Sequence, residues 1–227
     1  MPRTLIPSFV TLTGMGCGFF ALVLARDANV ELALWLLFAA ILCDVADGKI
    51  ARALDAQSAF GAQLDSFSDA ISFGVAPAVL LYETSLAPLG WPFALVAFFY
   101  ASMAVLRLVR FNLDASERSP DAFRGFSTPL AALCVMSYVA MRDTLPSWLG
   151  AIYAIALGWL MVSSVPSPAF KGGRLSVGYL VVALLNTVVL LAYPGYPTFV
   201  WWNAFVLLVL VLGVRVSRRN EPEGESP

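Results

Sequence analysis

Eight long apolar runs leave this chain few ways to fold. They cover roughly residues 6–25, 30–54, 62–82, 91–111, 128–142, 147–165, 175–192 and 197–215. A helix needs about 20 mostly apolar residues to cross a bilayer. The breaks fall where chain-turning residues gather: Pro88 and Pro92, Pro146, Pro166 and Pro168, Gly172-Gly173, and Pro194-Gly195-Tyr196-Pro197. No polar stretch between them is long enough to build a soluble domain. The 227 residues are 59% hydrophobic and only 13% charged, against about 25% charged in soluble domains. The pattern predicts an all-α integral membrane protein, a bundle of about eight transmembrane helices. Residues 1–215 read as a single membrane domain, and the polar segment 216–227 as a disordered tail.

Basic residues set the expected orientation. With the N-terminus in the cytoplasm, Arg3, Lys49, Arg52, Arg107, Arg110, Arg118, Arg124, Lys171, Arg174, Arg215, Arg218 and Arg219 lie at or near the inner face, and only Arg26 and Arg142 outside. Twelve against two is a strong positive-inside bias. Losing one helix would invert everything beyond it and spoil the bias, so the count also supports eight spans. Both termini are expected in the cytoplasm, and the chain in the cell membrane.

Composition removes some chemistry outright. The chain has no histidine, which excludes histidine bases, triads and metal ligands. Cys17, Cys43 and Cys134 are scattered through apolar stretches without a C-x-x-C spacing and read as small buried hydrophobes.

Four aspartates stand where the apolar pattern has no use for them. Asp44, Asp47, Gly48 and Ala51 are spaced at 3, 4 and 7 residues and share one helical face. Gly61, Asp65 and Asp69 are spaced by 4 and share another. A short cytoplasmic turn joins the two helices, so the faces can meet. An aspartate at a helix centre costs about 2.5–3.5 kcal/mol on insertion scales, and four cost up to about 10 kcal/mol. Solvated surface charges would have no reason to keep such spacing on two facing helices. Divalent cations offset the cost. Oxygen ligands without His or Cys imply a hard ion, Mg²⁺ or Mn²⁺. Four carboxylates could hold two ions about 3.5–4 Å apart, a spacing suited to displacement at phosphorus. Mg²⁺ binds through a few carboxylates plus substrate phosphates, which points to a pyrophosphate-containing substrate. Gly48 and Gly61 read either as close helix packing or as a flat slot for a nucleotide. Arg52 at the edge of that slot suits phosphate contact.

At these residues the chain resembles the CDP-alcohol phosphotransferase (CDP-alcohol phosphatidyltransferase) family. Asp44-x2-Asp47-Gly48-x2-Ala51-Arg52-x8-Gly61-x3-Asp65-x3-Asp69 matches the family signature at all eight fixed residues over 26 positions. Members transfer a phosphatidyl or related group from a CDP-linked donor to an alcohol and release CMP. The resemblance implies Asp44, Asp47 and Asp65 as ligands of a first metal. It implies Asp69 as general base and a contact of a second metal. Asp44, Gly48, Ala51, Arg52, Gly61 and Asp65 would form the CDP-binding cradle. Within the family, Ser72–Pro77, Arg107-Leu-Val-Arg110-Phe-Asn112, Phe123–Pro129 and Met161–Lys171 resemble the bacterial and archaeal phosphatidylserine synthases. The resemblance covers residues 5 to about 171. Ser8 and Gly14 depart from that branch's usual first-helix asparagines, and Ser127-Thr128-Pro129 from its usual Pro-Ser-Pro. What it implies is CDP-diacylglycerol as donor, L-serine as acceptor, membrane lipid around the site, a homodimer, and no nucleic-acid partner.

Arg107, Arg110, Asn112 and Lys171 are the candidates for the acceptor or a lipid phosphate. For the basic ones, ordinary topology is the competing explanation. Arg107 is the least ordinary, about one turn inside the membrane boundary, where an unpaired charge is costly. Rival readings are the same chemistry with glycerol 3-phosphate or an inositol phosphate, a metal-dependent membrane prenyltransferase, or a cation transporter. A prenyltransferase would want aspartate motifs on two separate helix pairs. A transporter would disperse its intramembrane acids across helices.

Overall fold

The computed structural model describes residues 4–26, 29–113, 123–163, 166–167 and 174–219. These form eight helices: α1 (Leu5–Arg26), α2 (Val30–Ala53), α3 (Ala59–Leu89), α4 (Trp91–Leu113), α5 (Thr128–Ala140), α6 (Ser147–Val162), α7 (Arg174–Ala192) and α8 (Tyr196–Arg219). The only departure among the described residues is a two-residue antiparallel bridge, Phe123 opposite Ser167 and Arg124 opposite Pro166. The all-helical expectation therefore holds, and the helices coincide with the apolar runs to within a few residues except in α3. That helix runs on to Leu89, past the expected end at residue 82. Helix α8 continues to Arg219, beyond the boundary expected at residue 215, and residues 220–227 lie outside the described residues.

Three helices, α1, α3 and α4, are long and apolar enough to cross a membrane. The surface fits that solvent. Phe9, Trp91, Phe98, Trp159 and Trp201 are each at least 65% exposed, which water would punish and lipid would not. The features are those of a multi-pass membrane protein. Helix α5 is different. Its 13 residues span about 20 Å at 1.5 Å per residue, too little for a hydrocarbon core of about 30 Å. Leu130 to Val139 are buried without a break, so α5 is a central post around which other helices pack.

Helix α3 is not a uniform α-helix. It is α-helical over Ala59–Asp69 and Ala76–Leu81, π-helical over Ala70–Val75 and Tyr82–Leu86, and ends in a 3₁₀ turn at Ala87–Leu89. The first wide turn is supported from both sides. Tyr100 Oη on α4 donates to Phe73 O at 3.2 Å, and Ser72 Oγ donates to Gly14 O on α1 at 3.3 Å. The backbone comes so close to α1 that a Cβ on Gly18 would lie 2.5 Å from Ser72 Oγ. A Cβ on Gly14 would lie 3.0 Å from Cys43 Cβ on α2. Helices α1, α2 and α3 thus meet along a seam that excludes a side chain at Gly18 and would need Cys43 to give by a few tenths of an ångström for one at Gly14.

Candidate active site

The two aspartate helices are joined by a turn that is fully capped at both ends. Helix α2 closes with a Schellman motif: Ala56 N–H donates to Ala51 O at 2.9 Å, and Asp55 N–H to Arg52 O at 3.3 Å. Asp55 occupies the left-handed region at φ 50°, which short polar side chains tolerate better than others. Helix α3 opens with Ser58, whose Oγ accepts from Gly61 N–H at 3.0 Å. With both helix ends satisfied across so few residues, the pair is a rigid hairpin, and the aspartate faces meet.

Asp44, Asp47 and Asp65 each bring one carboxylate oxygen to a set whose members all lie within 4.8 Å of one another. Asp47 is buried and the other two are half-buried. Asp69, 9% exposed, stands outside that trio, one turn beyond Asp65 on the same helix and close enough to act electrostatically on Asp44 and Asp65. Carboxyls at such range need a counter-charge. Arg107 supplies part of it, close enough to act electrostatically on both Asp44 and Asp69. An oxygen-only donor set of three converging carboxylates fits a hard divalent cation.

Little packs against the two glycines of the expected nucleotide slot. A Cβ on Gly48 would meet only the Arg52 guanidinium, at 3.6 Å, and one on Gly61 only Ser58 Oγ, at 3.2 Å. Neither glycine is there to let two helices touch. Arg52 is exposed and folds along its own helix over Gly48, one turn below Asp44; Ala51 beside it is half-buried.

The acceptor candidates separate. Arg107 Nη1 donates to Thr128 Oγ1 at 2.6 Å, and its guanidinium lies 5.5 Å from the Phe111 ring centroid. Arg110 Nη1 donates to Val162 O at 3.0 Å, on the last turn of α6, so it caps a helix end. Asn112 Nδ2 donates to Ser66 Oγ at 2.9 Å, beside Asp65, and ties α4 to α3. Lys171 lies outside the described residues. The three cysteines are free.

Sequence reasoning took from α1 only the departures at Ser8 and Gly14 and assigned Thr11 no role. Thr11 Oγ1 lies 2.6 Å from Asp47 Oδ2, and Ser68 Oγ donates to Thr11 O at 3.3 Å. A signal existed: Pro7, Thr11, Gly14, Gly18, Ala21 and Ala25, the buried residues of α1, recur every three or four positions, which is one helical face made of small residues.

Comparison with known proteins agrees with this geometry. A family model described as CDP-alcohol phosphatidyltransferase matches residues 4–166. The chain is 36% identical over 166 residues to the CDP-diacylglycerol–serine O-phosphatidyltransferase of Bacillus subtilis (strain 168), covering 73% of this chain and 91% of that protein. It is 28% identical over 221 residues to the protein of the same name from Helicobacter pylori (strain J99), covering 94% and 91%. For the Mycobacterium tuberculosis (strain H37Rv) protein of that name the figures are 33% over 175 residues, 71% of this chain and 60% of the longer mycobacterial chain.

Proposed function

This chain belongs to the CDP-alcohol phosphatidyltransferase family, and we infer that it transfers the phosphatidyl group of CDP-diacylglycerol to the hydroxyl of L-serine, giving phosphatidylserine and CMP. The acceptor follows from the relatives, all of which carry the serine name. The observation that carries the chemistry is the meeting of Asp44, Asp47 and Asp65 within 4.8 Å, with Asp69 buried one turn beyond Asp65.

In the proposed mechanism Asp44, Asp47 and Asp65 hold divalent metal, Mg²⁺ or Mn²⁺, with Asp69 reaching a second ion. When bound, the metal would neutralise the charge of the donor's diphosphate and of the phosphate oxygen on which CMP leaves. Gly48, Ala51, Arg52 and Gly61 cradle the CDP moiety. The bare face at Gly48 admits it, and the Arg52 fork contacts phosphate. The serine Oγ attacks the β-phosphorus; a new P–O bond forms as the bond to the CMP oxygen breaks. Asp69, buried and next to the cluster, takes the hydroxyl proton. Arg107 orients the serine carboxylate.

The chain crosses the membrane eight times in this proposal, the 13-residue α5 doing so together with the non-helical residues that flank it, with both termini cytoplasmic and the site opening toward the cytoplasm, as the basic-residue count supports. Residues 1–215 act as one domain, and family resemblance supports a homodimer. The decisive experiment presents the purified protein with CDP-diacylglycerol and serine, glycerol 3-phosphate or inositol phosphate, and measures CMP. Serine is expected to be the best acceptor and EDTA to stop the reaction. Faster turnover with glycerol 3-phosphate would overturn the serine assignment, and full turnover in EDTA the metal assignment.

A further inference from the structure

The hydrogen bond between α1 and the carboxylate cluster assigns a role to a residue outside the family signature. Thr11 Oγ1 lies 2.6 Å from Asp47 Oδ2 and 3.0 Å from Pro7 O. A hydroxyl has a single hydrogen to give. The shorter contact, to a carboxylate, is the stronger acceptor, and Pro7 O is the ordinary partner of a helix amide. The hydrogen therefore goes to Asp47. Both residues are buried, Thr11 at 6% and Asp47 at 5% exposed, so water does not compete for the bond.

Thr11 is itself held in place. Ser68 Oγ, one residue before Asp69, donates to the Thr11 carbonyl at 3.3 Å. Above it, the close approaches of Gly14 to Cys43 and Gly18 to Ser72 fix how α1 lies along α2 and α3. A hydroxyl presented by so constrained a helix fixes the plane of the carboxylate it binds.

We propose that Thr11 is a positioning residue: its hydroxyl holds one oxygen of Asp47 and orients that carboxylate toward Asp44 and Asp65. The proposal rests on the reading that these three aspartates hold a divalent cation. Loss of a partner that orients a metal ligand commonly weakens metal affinity by about 10–100-fold.

The test is a Mn²⁺ titration of the purified full-length protein without substrate, following the free-ion electron paramagnetic resonance signal. Thr11→Val keeps the side-chain shape and removes the donor; it should weaken Mn²⁺ binding by about 10–100-fold. Thr11→Ser keeps the donor and should stay within about threefold of wild type. In an Asp47→Asn background, Thr11→Val should add less than about twofold, because the bond it removes is already altered. In turnover assays the Mn²⁺ needed for half-maximal rate should rise with Thr11→Val while kcat at saturating Mn²⁺ is largely kept. Should the valine variant not fold, Thr11→Ala removes the same donor with less bulk and decides in its place. Wild-type Mn²⁺ affinity in the variant lacking the hydroxyl would overturn the proposal, whether or not the KM for CDP-diacylglycerol rises. Absence of Mn²⁺ binding by wild-type protein would overturn the cation reading and this proposal with it.

Discussion

Two pairs of glycines, in two regions of the same three helices, serve opposite ends. At the seam, Gly18 is glycine because there is no room, an added methyl lying 2.5 Å from Ser72 Oγ, and a methyl on Gly14 would press at 3.0 Å on Cys43 Cβ of the facing helix. At the mouth, Gly48 and Gly61 face only an arginine head and a serine hydroxyl at ordinary or slightly tight distance. One pair removes side chains so that helices touch. The other keeps a surface bare beside the carboxylates. A glycine in a membrane helix is thus not by itself a packing signal; what its missing methyl would meet tells which use it has.

The largest expected effects lie at the mouth, in the carboxylates. Asp69→Asn should cut turnover by about 10²–10⁴-fold, the usual contribution of a general base, and leave CDP-diacylglycerol binding nearly intact. Asp47→Asn should cut turnover at least as far and weaken metal-dependent donor binding as well. Equal loss of donor binding in both variants, measured by equilibrium binding, would remove the distinction between base and ligand.

At the seam, Gly18→Val should destabilise the fold by about 1–3 kcal/mol or more through overpacking, read as earlier thermal unfolding in detergent. Ser72 is hydrogen-bonded to α1 and cannot swing away cheaply. A neutral outcome there would show that the helices slide, and the contrast with the mouth would fail.

Arg107→Gln sharpens the comparison on the acceptor side. A charged hydrogen bond is worth about 1.5–3 kcal/mol, so its loss should raise the serine KM by roughly 10–150-fold and spare donor affinity. A serine KM within about twofold of wild type would leave Arg107 a structural partner of Thr128 alone.

The smallest expected change is Gly48→Ala. Its stability should hold or rise by about 0.5–1 kcal/mol, since alanine is the better helix former. The KM for CDP-diacylglycerol should rise about 10-fold, the lower end of what one added carbon costs in a fitted pocket. Destabilisation as large as that of Gly18→Val would put Gly48 in the seam class after all.

The carboxylate cluster was legible in the sequence because charge in an apolar helix is conspicuous and spacing on a helix is geometry. Asp44, Asp47 and Asp65 come together as their three- and four-residue intervals require. The eight helices were legible for the same reason, through long apolar runs. What periodicity cannot carry is which atoms of a helix end bond to which neighbour. Arg110 and Arg107 are three residues apart on one helix, and the sequence set Arg107 apart only by its depth, about one turn inside the membrane boundary. In the structure one caps α6 at Val162 and the other reaches Thr128 and the acidic cluster. Thr11 is uncharged, and the small-residue face it shares with Gly14 and Gly18 marks only a packing surface; its bond to Asp47 shows once α1 is docked against α2. The length of α3 escaped too: the expected span stops at residue 82, before the polar Glu83, Thr84 and Ser85, whereas the helix runs on through them to the break at Pro88, where it ends in a 3₁₀ turn.

The π-helical stretches of α3 change how the helix must be counted. A turn closed by an i to i+5 bond takes in one residue more than the α-turn it replaces. Beyond Val75, and again beyond Leu86, a residue therefore faces a different neighbour from the one that steady counting from Asp69 assigns. Solvent accessibility or labelling scanned residue by residue along α3 would show its rhythm lose step at 70–75 and at 82–86. The same rephasing lets Asp65 and Asp69 face the cluster while Leu80 and Leu81, both 1% exposed, face the core.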